Sequence, residues 1–148
     1  MSLQTTIEAD YKQAFKASQR PTISALRMLK SAIKNREIEV GRELTDEETM
    51  AVVTREVKRR REAAAQYQAG GRADLAAHEE SDIGVYSRYL PAQLTDAELE
   101  ALVTAAVAET SARGASDFGS VMGTVMAKVK GRVDGAKVQA AVRRALGA

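Results

Sequence analysis

The chain has 148 residues, enough for one domain or two small ones with a modest cleft, and is 45% hydrophobic, 28% charged and 4% aromatic with no tryptophan. Its core must therefore come from Ala, Val, Leu, Ile and Met, which favours helices. The absence of cysteine excludes disulfides and thiolate metal sites, a net charge of +2 is too small to imply a nucleic-acid partner by itself, and no signal-type segment or apolar run of about 18 residues appears, so the expected location is cytoplasmic.

In chain order, Leu3, Ile7 and Tyr11, then Leu26, Leu29, Ile33 and Val40, then Val53, Val57, Ala64 and Tyr67 recur at helical spacing, and no alternating β-branched stretch argues for a strand. Seven helices are expected, at about 3–18, 21–40, 46–69, 72–89, 96–112, 117–130 and 135–146. Pro21 suits a first turn, while Gly41 and Gly70-Gly71 suit helix ends. Thr45 with Glu48 and Thr95 with Glu98 have capping-box spacing, Leu94 with Leu99 can form the accompanying staple, and Ser116 and Asp134 are candidate caps for the last two helices. Pro91 pushes Leu90 out of helical geometry. The expected fold is all-α, a four-helix N-terminal unit over 1–90 followed by a three-helix C-terminal unit over 91–148.

Searches for catalytic chemistry end in absences. His78 is the single histidine, and it lies in the run His78-Glu79-Glu80-Ser81-Asp82, whose neighbouring positions on a helix point in different directions. That run reads as a solvated face, with no catalytic residue, cofactor or metal expected. Ala69-Gly70-Gly71-Arg72 lacks the Gly-Lys-Ser/Thr ending of a phosphate loop. Gly119 and Gly123, four apart, predict close helix packing, because an interior glycine costs roughly 1 kcal/mol of helix propensity.

Charge is distributed unevenly. From Pro91 to Ala127, Asp96, Glu98, Glu100, Glu109 and Asp117 outnumber Arg113, whereas from Lys128 onward Lys128, Lys130, Arg132, Lys137, Arg143 and Arg144 face only Asp134. We read this as the chain's basic end and the place to look for an anionic partner, where a basic loop precedes a helix N-terminus. Arg27, Lys30 and Lys34 form a second stripe beside Leu26, Leu29 and Ile33, either a solvated face or a series of phosphate contacts. Arg55, Lys58 and Arg59 read instead as an ion-pair ladder with Glu48 and Glu62. Arg60 projects toward Val53, Val57 and Ala64, where a carboxylate partner is the favoured arrangement.

Longer stretches carry a resemblance. Arg27-Met28-Leu29-Lys30-Ser31-Ala32-Ile33-Lys34-Asn35, Gly41-Arg42-Glu43-Leu44-Thr45-Asp46-Glu47-Glu48, Glu56-Val57-Lys58-Arg59-Arg60-Arg61, Ala69 to Ala76 and Tyr89 to Leu94 resemble the YqeY-like proteins, which are related to the tail region of the GatB subunit of tRNA-dependent amidotransferases. The segment from Gly119 to Val138 looks most like that tail, with Val133 and Gly135 standing where tails carry Ala and often Pro. The resemblance implies a tRNA-binding accessory without catalysis of its own. Its partners would be tRNA and an amidotransferase or aminoacyl-tRNA synthetase, with no membrane. With that role, the basic groups read above supply the expected nucleic-acid-binding residues, Lys128, Lys130, Arg132, Lys137, Arg143 and Arg144, with Lys30, Lys34 and Arg60 as a secondary set. Two alternatives are a protein-docking module for an amidotransferase or synthetase, and a carbon-nitrogen ligase with glutamine as amido donor.

Overall fold

The computed structural model describes residues 2–129 and 132–147. Among them are seven α-helices and two short 3-10 turns, with no strand: α1 (Leu3–Lys16), α2 (Arg20–Val40), α3 (Asp46–Ala69), α4 (Ala73–Tyr86), α5 (Asp96–Thr110), α6 (Phe118–Val129) and α7 (Gly135–Leu146). The chain divides into two compact units, Met1–Pro91 and Ala92–Ala148.

In the N-terminal unit the apolar stripes of α1 to α4 meet in a core that includes Ile7, Leu26, Leu29, Ile33, Val53, Val57 and Tyr86. Each fully buried side chain of this size contributes roughly 1.5–3 kcal/mol. Two tyrosine hydroxyls fasten the end of α4 to the rest. Tyr86 donates to the Ala25 carbonyl at 2.6 Å and Tyr89 to Asp10 Oδ2 at 2.6 Å. Burial pushes both phenols above their ordinary range, with the Asp10 bond adding to the shift at Tyr89, so both remain proton donors. The expected fourth helix stops at Tyr86 and continues as a 3-10 turn over Ser87–Tyr89, because Pro91 holds Leu90 extended (φ −99°, ψ 153°) and the last turn tightens ahead of it.

Local chemistry sets the helix ends. Thr45 and Glu48 form the full capping box, with Glu48 N donating to Thr45 Oγ1 at 3.2 Å and Thr45 N to Glu48 Oε2 at 2.9 Å. Gly41 (φ 76°) and Gly71 (φ 75°) take left-handed conformations that let the chain leave α2 and α3. The ion-pair ladder expected on α3 does not form with Glu48. That carboxylate is gripped by both Nη atoms of Arg42 at 2.8 Å, while Arg59 reaches Glu56 at 3.5 Å.

In the C-terminal unit α5, α6 and α7 enclose Leu99, Val103, Val121, Val125, Val138 and Val142. Thr95 caps α5 by accepting from Glu98 N at 3.1 Å, and Asp134 caps α7 by accepting from Ala136 N at 3.1 Å. Ser116 lies inside the 3-10 turn Ala115–Asp117 instead of capping α6, and Asp117 takes up the Arg113 amide at 2.9 Å. The packing expectation for Gly119 and Gly123 is overturned. Both are exposed, and a Cβ added to either would meet nothing within 4 Å; the valines at 121, 125 and 129 turn inward and leave the glycine stripe outside.

Candidate nucleic-acid interface

The three-helix unit distributes its basic side chains over two flanks. On α7, Val138, Ala141 and Val142 are buried, which turns Lys137 and Arg144 toward α5 and Arg143 toward α6. Arg143 is exposed and sets its guanidinium 5.5 Å from the centre of the Phe118 ring, a cation–π contact that holds the planar fork in place while leaving its edge to solvent. Lys137 and Arg144 line a groove of about 240 Å³ with Asp96, Leu99, Glu100 and Ala140. Two carboxylates therefore share their flank and oppose a bound phosphate.

The remaining members of the primary set are more constrained. Lys128 pairs with Glu109 at 2.9 Å, both side chains being largely exposed, so the pair is worth little and a phosphate can displace the carboxylate. Arg132 is half-buried. Its carbonyl accepts from Leu94 N at 2.8 Å and its Nε donates to the Ala92 carbonyl at 3.2 Å, pinning the loop before α7 to the entry of α5. Lys130 lies outside the described residues. Asp134 places its own carboxylate on the α7 N-terminus, so the amides that a basic loop would combine with are already capped by an anion.

In the N-terminal unit, α1 and α2 run antiparallel, as Gln4 to Glu37, Glu8 to Lys30 and Tyr11 to Arg27 contacts demonstrate. Lys30 pairs with Glu8 at 2.7 Å and stands 4.2 Å from the Tyr11 ring centre. The Lys30 hydrogen bond holds the Glu8 carboxyl below its usual range. Lys34 is exposed and lines a groove of about 270 Å³ with Gln4, Ile7, Glu8, Lys30, Ile33 and Glu37. Arg60 has a side chain only 13% exposed and pairs with Glu56 at 2.7 Å and Asp82 at 3.4 Å, with the Tyr86 ring 4.8 Å away. Its charge is thus spent within the unit.

The His78 run disperses: His78 is exposed while Asp82 turns inward to Arg60. Among the described residues no group of three or more His, Asp or Glu side chains is arranged to hold a metal ion, and no helix is long and apolar enough to cross a membrane. Sequence reading took Arg27, Lys30 and Lys34 as a stripe and passed over Lys12, Lys16 and Arg20 before it. From Tyr11 to Lys34 there are Lys12, Lys16, Arg20, Arg27, Lys30 and Lys34 and not one Asp or Glu, with Tyr11 and Phe15 among them. A running charge count over this stretch, set beside its aromatics, would have marked it.

Comparison with known proteins places the chain. A family model described as Yqey-like protein matches residues 4–146, and the chain belongs to that family. No curated protein matches it.

Proposed function

We propose that this member of the YqeY-like family is a noncatalytic accessory that binds tRNA in the service of tRNA-dependent amidation or glutaminyl-tRNA formation. The observation that carries the reading is the solvent exposure of Lys128, Lys137, Arg143 and Arg144 on one small helical unit, with Arg143 pre-oriented on Phe118. The likeness of the segment from Gly119 to Val138 to the GatB tail supports it. Arg143 and Lys128 supply the primary phosphate contacts, and Lys130 is kept with them on its place in the sequence alone. Lys137, Arg144 and Arg132 extend them along the α5 flank and the loop, and Lys30 and Lys34 belong to a second surface. Arg60, held between two carboxylates, maintains the N-terminal unit.

Salt titration of tRNA-Gln binding, with duplex DNA as competitor, tests the proposal. If about five phosphates are engaged, log affinity should fall against log salt with a slope of about −3 to −5. Absence of binding at low salt would overturn it.

A second reading has its own support in the uncovered flank of α6, where Gly119 and Gly123 leave open backbone beside the exposed Met126. There the protein would dock on an amidotransferase or synthetase through α6. Retention of that enzyme after RNase treatment favours docking; its loss favours the RNA. Amide transfer is left to the partner in both readings, and formation of Gln-tRNA by the purified protein from Glu-tRNA, ATP and glutamine would replace them with a carbon-nitrogen ligase.

A further inference from the structure

We propose that the α1–α2 face of the N-terminal unit binds single-stranded RNA, stacking an unpaired base on Phe15 while Lys12, Arg27 and Lys34 take the adjoining phosphates. The inference rests on the nucleic-acid reading and adds a second surface and a structural feature of the RNA that it selects.

Phe15 is left 62% exposed near the end of α1. One turn earlier Tyr11 lies with its ring centre 6.4 Å away and tilted by 40°. Tyr11 is fixed in turn by Lys30 over its ring at 4.2 Å and Arg27 at its hydroxyl at 3.4 Å. A half-buried, cation-clamped ring therefore supports an exposed one. An exposed phenyl ring has no role in the core and offers a π-face to a base of any identity.

Charge complementarity identifies the partner. The stretch from Tyr11 to Lys34 has six cations and no carboxylate. The acids that precede it are occupied, Glu8 by Lys30 at 2.7 Å and Asp10 by the Tyr89 hydroxyl at 2.6 Å. At the far end of the groove Glu37 accepts from Gln4 and the Leu44 amide. Glu8, Asp10 and Glu37 keep their charge and offset part of the six, Glu8 and Glu37 beside Lys30 and Lys34, so the positive excess lies toward the Phe15 end, on Lys12, Lys16, Arg20 and Arg27, where it suits a phosphate backbone.

A duplex would satisfy the charges and leave the ring without a partner, because its bases are stacked and paired. An anionic bilayer would need several apolar side chains entering together. Of the exposed large apolar residues on α2, Met28 has its sulfur against the Arg60 guanidinium, and Ile38 is eleven positions beyond Arg27, about 16 Å along the helix axis and away from the Phe15 end. One ring among lysines matches a base better than a membrane.

The chain has no tryptophan, so Phe15→Trp in the full-length protein provides a unique reporter. Oligouridylate should quench its emission saturably, with added salt weakening the effect. The same strand annealed to oligoadenylate should quench much less. Phe15→Ala should bind oligouridylate about tenfold more weakly than the unaltered protein, with an unchanged helical circular-dichroism spectrum. Unchanged emission with oligouridylate, equal quenching by the duplex, or a blue shift on phosphatidylserine vesicles in place of quenching by RNA would overturn the inference. If the unaltered protein binds tRNA-Gln while any of these occurs, the tRNA reading stands and only the Phe15 surface falls; if it binds neither RNA, both fall.

Discussion

Arg143 and Arg144 are adjacent in sequence and diverge in space: Arg143 sits 5.5 Å from the Phe118 ring on the α6 side of α7, whereas Arg144 lines the α5 groove beside Glu100. The two should contribute unequally to RNA binding. Arg143→Ala should weaken tRNA affinity more than Arg144→Ala and reduce the magnitude of the salt slope by about 0.7–0.9, as expected for one lost phosphate contact. Arg143→Lys should fall between, since it keeps the charge and loses the planar fork. Equal losses in a filter-binding titration would remove Arg143 from its leading place.

Carboxylates set against the basic surface make a prediction of opposite sign. Asp134→Asn preserves a good cap for α7 while removing an anion from its N-terminus. Glu100→Gln removes one from the Lys137–Arg144 groove. Each substitution should tighten tRNA binding at low salt by a few-fold, and the gain should shrink as salt rises. Weaker binding in both variants would mean that these flanks do not face the RNA.

Arg60 is a matter of stability. It is shared between Glu56 and Asp82, whose side chains are 8% and 6% exposed. Arg60→Ala strands two buried carboxylates and should cost about 3 kcal/mol or more in urea unfolding. Arg60→Ala combined with Asp82→Asn should recover part of that loss, because one uncompensated charge is gone. A near-neutral single variant would show that water reaches the pair.

The helices were legible because helix formation is periodic and local. Buried positions such as Leu26, Leu29 and Ile33 follow the helical repeat, and the Thr45–Glu48 box is written within four residues. The pairings across helices were not. Glu48 had a basic residue, Arg55, two turns along α3, yet the preceding loop brings Arg42 to it in a bidentate grip that helix spacing cannot reveal. Phe118 and Arg143 are twenty-five positions apart, and only the packing of α6 on α7 unites them. The basic end was visible as composition, but its division into two flanks depends on which face of α7 the valines bury. The Tyr11–Lys34 stretch was visible in composition as well, and its exposed ring emerged only when the fold set α1 against α2.

The Arg42–Glu48 pair gives the N-terminal unit a pH dependence. The Arg42 hydrogen bond, then the Thr45 amide, hold Glu48 at a pKa of about 2 against an ordinary value of 4.5. A carboxyl depressed in the folded state contributes stability that is fully present above its unfolded value and is lost as pH falls through the folded one. The midpoint of thermal unfolding should therefore drop between about pH 4.5 and 2. Glu48→Gln should lower it at neutral pH and flatten the decline over that window; an identical slope in the variant would assign the acid sensitivity to other carboxylates.

Gly123 tests whether the open flank of α6 is retained for the folded chain itself. It lies in the interior of α6, outside the left-handed region, and an added Cβ meets nothing within 4 Å. Packing within the C-terminal unit therefore gives no reason for glycine there. Alanine restricts the unfolded chain and improves helix propensity, so Gly123→Ala should stabilise the protein by about 0.5–1 kcal/mol. Chemical denaturation measures this directly. A stabilised variant that binds tRNA normally but no longer retains the amidotransferase or synthetase would locate that contact on the α6 backbone, because a single methyl group can block close approach without disturbing the fold. Destabilisation would instead mean that α6 packs more tightly around Gly123 than its open surroundings indicate.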